Sequence, residues 1–490
     1  MQKFDVIIVG AGVVGCAIAR ELSRYRLRIA VLEKEVEIGQ GTSKGNTGLI
    51  HSGVNADPAT LSGRLNLEAN PLFDQLNDEL AVPFDRNGSL VLAFSSEDRQ
   101  ALLNSLEEAR TNGVQGVRWL NREQLLEKEK TVNPEALGAI YAPRGGIICP
   151  FEFTLALAQN AAENGVAFLT GCRVHKTITE EGRVVGVETD QGFFQGDYLV
   201  NAAGLSADEM NCVREEGIRI KARRGQYLVY DRDYPVQVKH TLFPRPTPVS
   251  KGIIVTPTVH GNLMIGPDAE EIEDKSSLET TREGISRVIV GAKKLVPALD
   301  TSDIIRMFSG NRAVAGDDFI IRPARRTRGL ILAAGIQSPG LTTAPRIAGL
   351  IKEILQDLGL NMEEKDDFQA RRPVPVRPGT MDYKERAELI SRDSDYGQII
   401  CRCEGITRGE IREAIRAPLG ARTIDGIKRR TQAASGRCQS GFCGPRLLEL
   451  LQEYAGIDPL QASLRGGSSQ LLKYHSKELL LKAGEGLADI

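Results

Sequence analysis

The chain has 490 residues, 41% hydrophobic and 26% charged, with a formal net charge of -2. That length predicts roughly two to four domains, and the composition predicts a globular protein with a large core. The near balance of charge excludes an electrostatic case for nucleic acid or for a strongly anionic membrane surface.

The first residues, MQKFDVIIVGAG, carry no basic region, no long apolar run and no cleavage site. The expectation is neither a signal peptide nor a transmembrane helix, and a cytoplasmic location. Phe4 to Val9 reads as a buried strand, and GAGVVG then sets Gly10, Gly12 and Gly15 in G-x-G-x-x-G spacing. VVGCAIARELSRY has helical periodicity, and LRIAVLEKE is a second strand ending at Glu33. This is the strand–turn–helix–strand context of a dinucleotide fingerprint. Gly10 permits the tight turn, Gly12 lets the backbone approach a pyrophosphate, and Gly15 allows close helix–strand packing. The helix N-terminus offers N–H groups to phosphates, and Glu33 accepts hydrogen bonds from ribose hydroxyls. The fingerprint alone does not separate FAD from NAD.

GQGTSKGNTGLIHSG, from Gly39 to Gly53, is too long for a turn, and long loops in compact domains are usually functional. In a flavoprotein it runs along the ribityl chain and beneath the isoalloxazine. Thr42 and Ser43 then donate to phosphate or ribityl oxygens, and Asn46 and Gly48 approach the ring. His51 stands near the reactive face, either as a proton acceptor or as a buried hydrogen-bond link. Further on, RVVGVETDQGFFQGDYLVNAAG reads as a hairpin returning to a strand that ends at Ala202, Ala203 and Gly204. Small residues at a strand's carboxyl end fit close cofactor approach.

Between residues 205 and 320, RRGQYLVYDR and KGIIVTPTVHGNLMIGPDA alternate like strands, and SLETTREGISRVIVGAKKLVPAL reads as a helix. IIRMFSGNRAVAGDDFIIRPA carries Arg306, Arg312 and Arg322, and an anionic substrate needs a guanidinium fork. RGLILAAGIQSPGLTTAPRIAGLI, from Arg328, is another strand, a loop at Gly335, and a helix starting near Gly340 and Leu341. The positive end of that helix suits negative charge on a reduced flavin pyrimidine.

The stretch from residue 361 to 395 is charged and proline-rich and reads as a linker. A compact piece of about 60 residues begins near Tyr396. It holds Cys401 and Cys403, then Cys438 and Cys443, in the pattern C-x-C, 34 residues, C-x4-C. Four thiolates from two loops hold either one zinc ion or a 2Fe–2S cluster. Zinc ribbons usually place two residues between paired ligands, and here the gaps are one and four. TRGEIREAI, TIDGIKRRT and GPRLLELLQEY read as helices, and the closing stretch from residue 466 to 490 has helical periodicity. Cys16, Cys149, Cys172 and Cys212 are scattered singly, the usage of a reducing compartment.

VIIVGAGVVGCAIARELS, VLEKE, GNTGLIHSG, FTLALAQNA, YLVNAAGLSAD, RRGQYLV, MIGPDA and AAGIQSPGLTTAPRIAGLI together resemble the D-amino-acid-oxidase-type FAD oxidoreductases, over about residues 3 to 355. CRCEGITRGEI and GRCQSGFCGP resemble the bacterioferritin-associated-ferredoxin-like 2Fe–2S domain. The resemblance implies an α/β Rossmann-like FAD-binding domain with an antiparallel-sheet substrate domain (α+β), plus a small, mainly helical iron–sulfur domain. The oxidoreductase domain is expected over 1–360. Its FAD-binding segments lie at about 1–80, 150–210 and 320–360, and its substrate segments at about 81–149 and 211–319. A linker at 361–395, the cluster domain at 396–456 and a tail at 457–490 follow. Val174 joins the implied FAD contacts. Arg312 falls where the family places an arginine, although its motif is GNR where GLR or GVR is usual. Arg224 is a weaker candidate.

The pairing of these two domains resembles the catalytic subunits of anaerobic glycerol-3-phosphate dehydrogenases. It implies oxidation of sn-glycerol 3-phosphate, with electrons leaving through a 2Fe–2S cluster to an acceptor subunit or a quinone. It also implies an oligomer or hetero-complex, with any membrane contact peripheral. The alternatives are the same machinery on an L-2-hydroxyglutarate-like hydroxy acid or on a proline-like amino acid, a non-catalytic redox or docking subunit, and zinc in the cysteine site.

Overall fold

KFDVIIV forms the strand Lys3–Val9, and its Val6, Ile7 and Ile8 are fully buried. Consecutive apolar residues suit a strand covered on both faces, and both of its neighbours, Ile29–Leu32 and Gly192–Asn201, are parallel to it. The helix Val13–Leu22 makes the first crossover. The computed structural model describes residues 3–246, 252–474, 476 and 477. The chain divides into two compact units. One spans Met1–Lys34 and Ile38–Val374, and the other spans Glu35–Glu37 and Pro375–Ile490.

In the first unit an eight-stranded sheet carries the dinucleotide fingerprint. The expected hairpin forms from the antiparallel strands Arg183–Thr189 and Gly192–Asn201. The strand Leu330–Ala334 then lies parallel to Gly192–Asn201, with Leu199 opposite Leu330. This brings the segment from Arg328 back beside the fingerprint, and the helix Gly340–Asp357 leaves from its end.

A nine-stranded sheet forms the second layer of this unit. Its longest pairing joins Lys221–Tyr230 and Ile304–Val314, antiparallel, with Gly225 opposite Gly310. Ser89–Ala93 enters the same sheet parallel to Thr241–Phe243, so segments far apart in sequence share one surface. The helix Arg282–Leu295 covers it, burying Val288, Ala292 and Leu295 against Leu228, Tyr230 and Ile265. This helix starts later than periodicity suggests, because the Thr281 hydroxyl accepts the Gly284 N–H as its cap.

The second unit contains the helix Tyr383–Arg392, inside the stretch expected as a linker. A capping box of Asp382 and Glu385 closes its first turn. A short antiparallel pair, Ile399–Cys401 and Ile406–Thr407, precedes the helices Arg408–Arg416, Ile424–Thr431 and Gly444–Ala455. Their core is Ile411, Ile415, Ile424, Ile427, Leu447 and Leu451. From residue 478 onward the closing stretch lies outside the described residues. Among the described residues no helix is long and apolar enough to cross a membrane.

Candidate functional site

The fingerprint turn is closed by backbone against backbone. Gly10 has φ +102°, and a Cβ there would lie 2.6 Å from the Ala202 carbonyl oxygen. At Gly15 a Cβ would lie 1.9 Å from the Gly10 carbonyl oxygen. No larger residue fits either position without parting the helix from the strands. Ala11 N–H donates to Glu33 Oε2 at 2.7 Å, which fixes the carboxylate at the carboxyl end of the second strand. Cys172 N–H donates to the Glu33 carbonyl at 2.8 Å, and Val174 begins a strand two residues further on.

Ser43 Oγ accepts the Val13 N–H at 2.8 Å, where the helix begins. A hydroxyl that accepts still has a hydrogen to donate, so Ser43 can serve a phosphate or ribityl oxygen as expected. Thr42 differs. Its hydroxyl donates to the Asn311 carbonyl at 2.6 Å, so Thr42 can meet a cofactor only as an acceptor. Asn46 folds the loop on itself, donating to the Thr42 and Ser43 carbonyls and accepting the Gly48 N–H at 2.8 Å. At Gly48, φ is +66° and a Cβ would lie 2.3 Å from the Ile148 carbonyl oxygen. Ala203 N–H donates to Asn201 Oδ1, and a Cβ on Gly204 would meet nothing within 4 Å.

His51 is held from the far end of the unit. Its N–H donates to Thr342 Oγ1 at 3.0 Å, and that hydroxyl donates to the Leu49 carbonyl. Asn70 Nδ2 donates to the His51 carbonyl at 2.9 Å. On the ring, Nε2 lies 3.4 Å from Ser338 Oγ, and the Phe243 ring faces the imidazole at 6.5 Å between centroids. Gly335, with φ +64°, turns the chain towards Ser338, and Gly340 and Leu341 open the helix. A cleft is lined by His51, Ser52, Ser89, Thr241 and Phe243.

Arg312 does not line that cleft. It lies on Ile304–Val314, one residue from Asn311 and so from the Thr42 crossing. One Nη2 hydrogen bond goes to the Asp268 carbonyl at 3.0 Å. A Cβ on Gly225 would lie 2.4 Å from Arg312 Nη2, so that glycine makes room for the guanidinium. Arg312 also shares a hydrogen bond with the Tyr227 hydroxyl. Burial raises the pKa of that hydroxyl, and the arginine charge opposes the shift. Arg224 is spoken for structurally, buried in an ion pair with Glu270 at 3.0 Å.

Gly10, Gly12, Gly15, Glu33 and Ser43 therefore meet at one helix start. The 42–48 loop joins them to Arg312, and His51 joins the closing helix. Sequence reasoning missed Asn70, Tyr227, Ser338 and Thr342. Ser338 and Thr342 stand in SPGLTT, where a hydroxyl-rich helix start was the available signal. Tyr227 has no local signal. The cradle fits FAD. In neither Val13–Leu22 nor Gly340–Asp357 does the N-cap residue's side chain cap the helix, and neither has an acidic residue in its first turn, so both offer positive dipole ends, although Ser43 takes the Val13 N–H.

The four C-terminal cysteines converge. Sγ of Cys403 lies 3.8 Å from that of Cys401 and 3.7 Å from that of Cys438. Cys401 donates a hydrogen bond to Cys443, which pushes the Cys401 thiol up, with burial adding, and pulls the Cys443 thiol down. Burial and the neighbouring sulfurs push Cys403 up to about 12. Four thiolates this close need a cationic centre between them. Successive short contacts thus link Cys443, Cys401, Cys403 and Cys438. Four converging thiolates are the donor set that a 2Fe–2S cluster requires, as they would be for zinc. Gln439 and Ser440, at φ +45° and +75°, bend the loop between Cys438 and Cys443. The helix Gly444–Ala455 starts at Cys443 with no acidic residue in its first turn.

Comparison with known proteins covers both regions. The family described as FAD dependent oxidoreductase matches residues 5–354, and the BFD-like [2Fe-2S] binding domain matches residues 399–453. A glycerol 3-phosphate dehydrogenase of Caloramator mitchellensis is 44% identical over 93% of this chain and 95% of its own length. An anaerobic glycerol-3-phosphate dehydrogenase subunit of Escherichia coli is 26% identical over 92% of this chain and 89% of its own length. The structure of the dithionite-reduced L-α-glycerophosphate oxidase of Mycoplasma pneumoniae with FAD bound superposes with a TM-score of 0.72 at 28% identity. It covers 77% of this chain and all of its own.

Proposed function

The chain belongs to the FAD-dependent oxidoreductases of the D-amino-acid-oxidase type and carries a BFD-like 2Fe–2S domain, and on that premise we propose that it oxidises sn-glycerol 3-phosphate to dihydroxyacetone phosphate. One observation carries this reading. The likeness to the Caloramator enzyme runs through the flavin fold and the cysteine segment alike. The oxidoreductase domain in this reading covers about 1–360, and the cluster domain covers 396–456.

FAD held at Gly10, Gly12, Gly15 and Glu33 would supply a hydride acceptor for the substrate's C2–H bond, and a 2Fe–2S cluster held by Cys401, Cys403, Cys438 and Cys443 would supply a one-electron centre. The chain's residues do the rest. The His51 imidazole takes the C2 hydroxyl proton, so the C–H and O–H bonds break while a carbonyl forms. Thr342 and Asn70 hold the His51 backbone and so fix the ring's reach. Ser338 Oγ orients Nε2, and Phe243 keeps water from one side of the imidazole. Arg312 supplies the cationic counter-charge for the substrate anion, its guanidinium held by the Asp268 carbonyl and the Tyr227 hydroxyl. Ser43 donates to the cofactor, and Glu33 receives its ribose hydroxyls. Cys401, Cys403, Cys438 and Cys443 would hold the centre that offers the electrons an exit towards a partner subunit or a quinone, and any membrane contact would be made through that partner.

The test is an anaerobic absorbance spectrum of the purified protein before and after substrate. The expected result is flavin bands over a broad iron–sulfur shoulder, with the flavin bleached by glycerol 3-phosphate. Bleaching by L-2-hydroxyglutarate or by proline instead would move the substrate to that class. Flavin bands with zinc and no iron would remove the electron exit.

A further inference from the structure

We propose that Cys149, Glu152 and His260 form a binding site for a divalent transition cation of the zinc type, separate from the cysteine centre. One ligand atom from each residue lies within 4.8 Å of the other two. His260 Nε2 and Glu152 Oε1 stand 3.4 Å apart, inside the range of about 3.3–3.8 Å that separates two ligands on one tetrahedral zinc ion. Cys149 and Glu152 are buried, at 2% and 4% exposure.

Local structure explains why the three converge. Cys149 is the N-cap of the helix Pro150–Glu163, and Glu152 stands in its first turn. Residues three apart share a helix face, so thiol and carboxylate point the same way. His260 comes from the turn between Ile254–Pro257 and Leu263–Gly266 in the nine-stranded sheet. That turn is closed by Thr258 N–H to the Asn262 carbonyl at 2.8 Å, with Gly261 at φ +87°.

The donor set decides the ion. A thiolate, a neutral imidazole and a carboxylate suit zinc and related borderline cations, and argue against magnesium or calcium. A dication also neutralises the two buried anions. Three protein ligands leave a fourth position for water. The ion would tie the sheet's hairpin to a helix of the flavin-binding layer. Val259, next to His260, packs with Leu49, Ile147, Ile254 and Phe243, and Phe243 is the wall facing His51. The site therefore braces the cleft from behind, whatever substrate the cleft takes.

The full-length protein, equilibrated with zinc chloride and exhaustively dialysed, would be measured by elemental analysis and by X-ray absorption at the zinc edge. The expected result is about one zinc per chain in a shell of one sulfur and three nitrogen or oxygen atoms. Cys149→Ser and His260→Gln each lose that zinc while iron and flavin contents stay. His260 lies on a partly exposed turn, so its variant remains informative if Cys149→Ser does not fold. Zinc with four sulfurs, no zinc after dialysis, or wild-type zinc in His260→Gln overturns the proposal.

Discussion

Replacing Gly310 with alanine tests whether the flavin loop is seated on the substrate sheet by direct backbone contact. A Cβ at Gly310 would lie 1.9 Å from the Gly45 carbonyl oxygen and 2.7 Å from its Cα. Ordinary contact starts at 3.4 Å, so loop and strand must part by about 1.5 Å. Neither side is a flexible side-chain tip. Gly310 is register-locked opposite Gly225 in the sheet's longest pairing, so the loop has to move. The 2.6 Å bond from Thr42 to Asn311 then breaks. Overpacking costs about 1–3 kcal/mol, and the lost hydrogen bond adds about 1 kcal/mol.

The functional cost is larger than the stability cost. A misplacement near 1 Å lowers a reaction that depends on alignment by about 10²-fold. Gly310→Ala is therefore expected to retain FAD, because the Gly10–Gly15 cradle is untouched, and to turn over glycerol 3-phosphate about 100-fold more slowly. Steady-state turnover with an artificial acceptor, flavin content and a thermal melt measure the three effects. A kcat/KM within about threefold of wild type with an unchanged melt would refute the seating argument.

Arg312→Lys keeps the charge but loses the fork, and kcat/KM for glycerol 3-phosphate is expected to fall about 10–100-fold, mostly through KM. Cys443→Ser should lose the iron–sulfur absorbance and reduced-state paramagnetic signal while the flavin still bleaches with substrate; loss of bleaching would mean the cysteines serve the flavin site. Burial raises the Glu129 carboxyl, but hydrogen bonds from the His240 ring and from the Lys239 and His240 N–H groups outweigh it and hold its pKa below 4.5. Its stabilisation is therefore full above pH 4.5 and is lost as pH falls through the lowered value. In denaturant titrations Glu129→Gln should be less stable at neutral pH by about 1–3 kcal/mol, with a flatter decline in acid.

The fingerprint was legible because its parts lie within one short stretch, where a strand, three glycines and an acid at fixed spacing have a single structural meaning. The hairpin at 183–201 was legible for the same local reason. What stayed hidden depends on distance along the chain. His51 is held by Thr342, 291 residues away, and Thr42 by Asn311, 269 residues away. Periodicity carries no information about such pairs. The GNR motif makes sense only in three dimensions, where Asn311 Nδ2 binds the Lys275 and Ser277 carbonyls. The helix Tyr383–Arg392 escaped notice because it buries no residue and rests on its capping box. The cysteine spacing announced a four-sulfur centre, and the fold brings the two pairs together, with Cys403 Sγ 3.7 Å from Cys438 Sγ.

The two redox tasks make opposite demands on backbone structure. Hydride transfer requires the donor carbon and the acceptor atom to meet at near-contact distance, so the groups around them must be held to a fraction of an ångström. The flavin loop is accordingly clamped by Gly45 against Gly310, Thr42 against Asn311 and His51 against Thr342. Single-electron transfer tolerates separation and needs an accessible exit for a partner. Around the cysteines Cys401 and Cys443 are buried, while Phe442, directly beside Cys443, is 78% exposed. A buried ligand set protects the centre, and an exposed neighbour shortens the path to whatever docks. A chain that only stored or sensed redox state would need the second arrangement without the first.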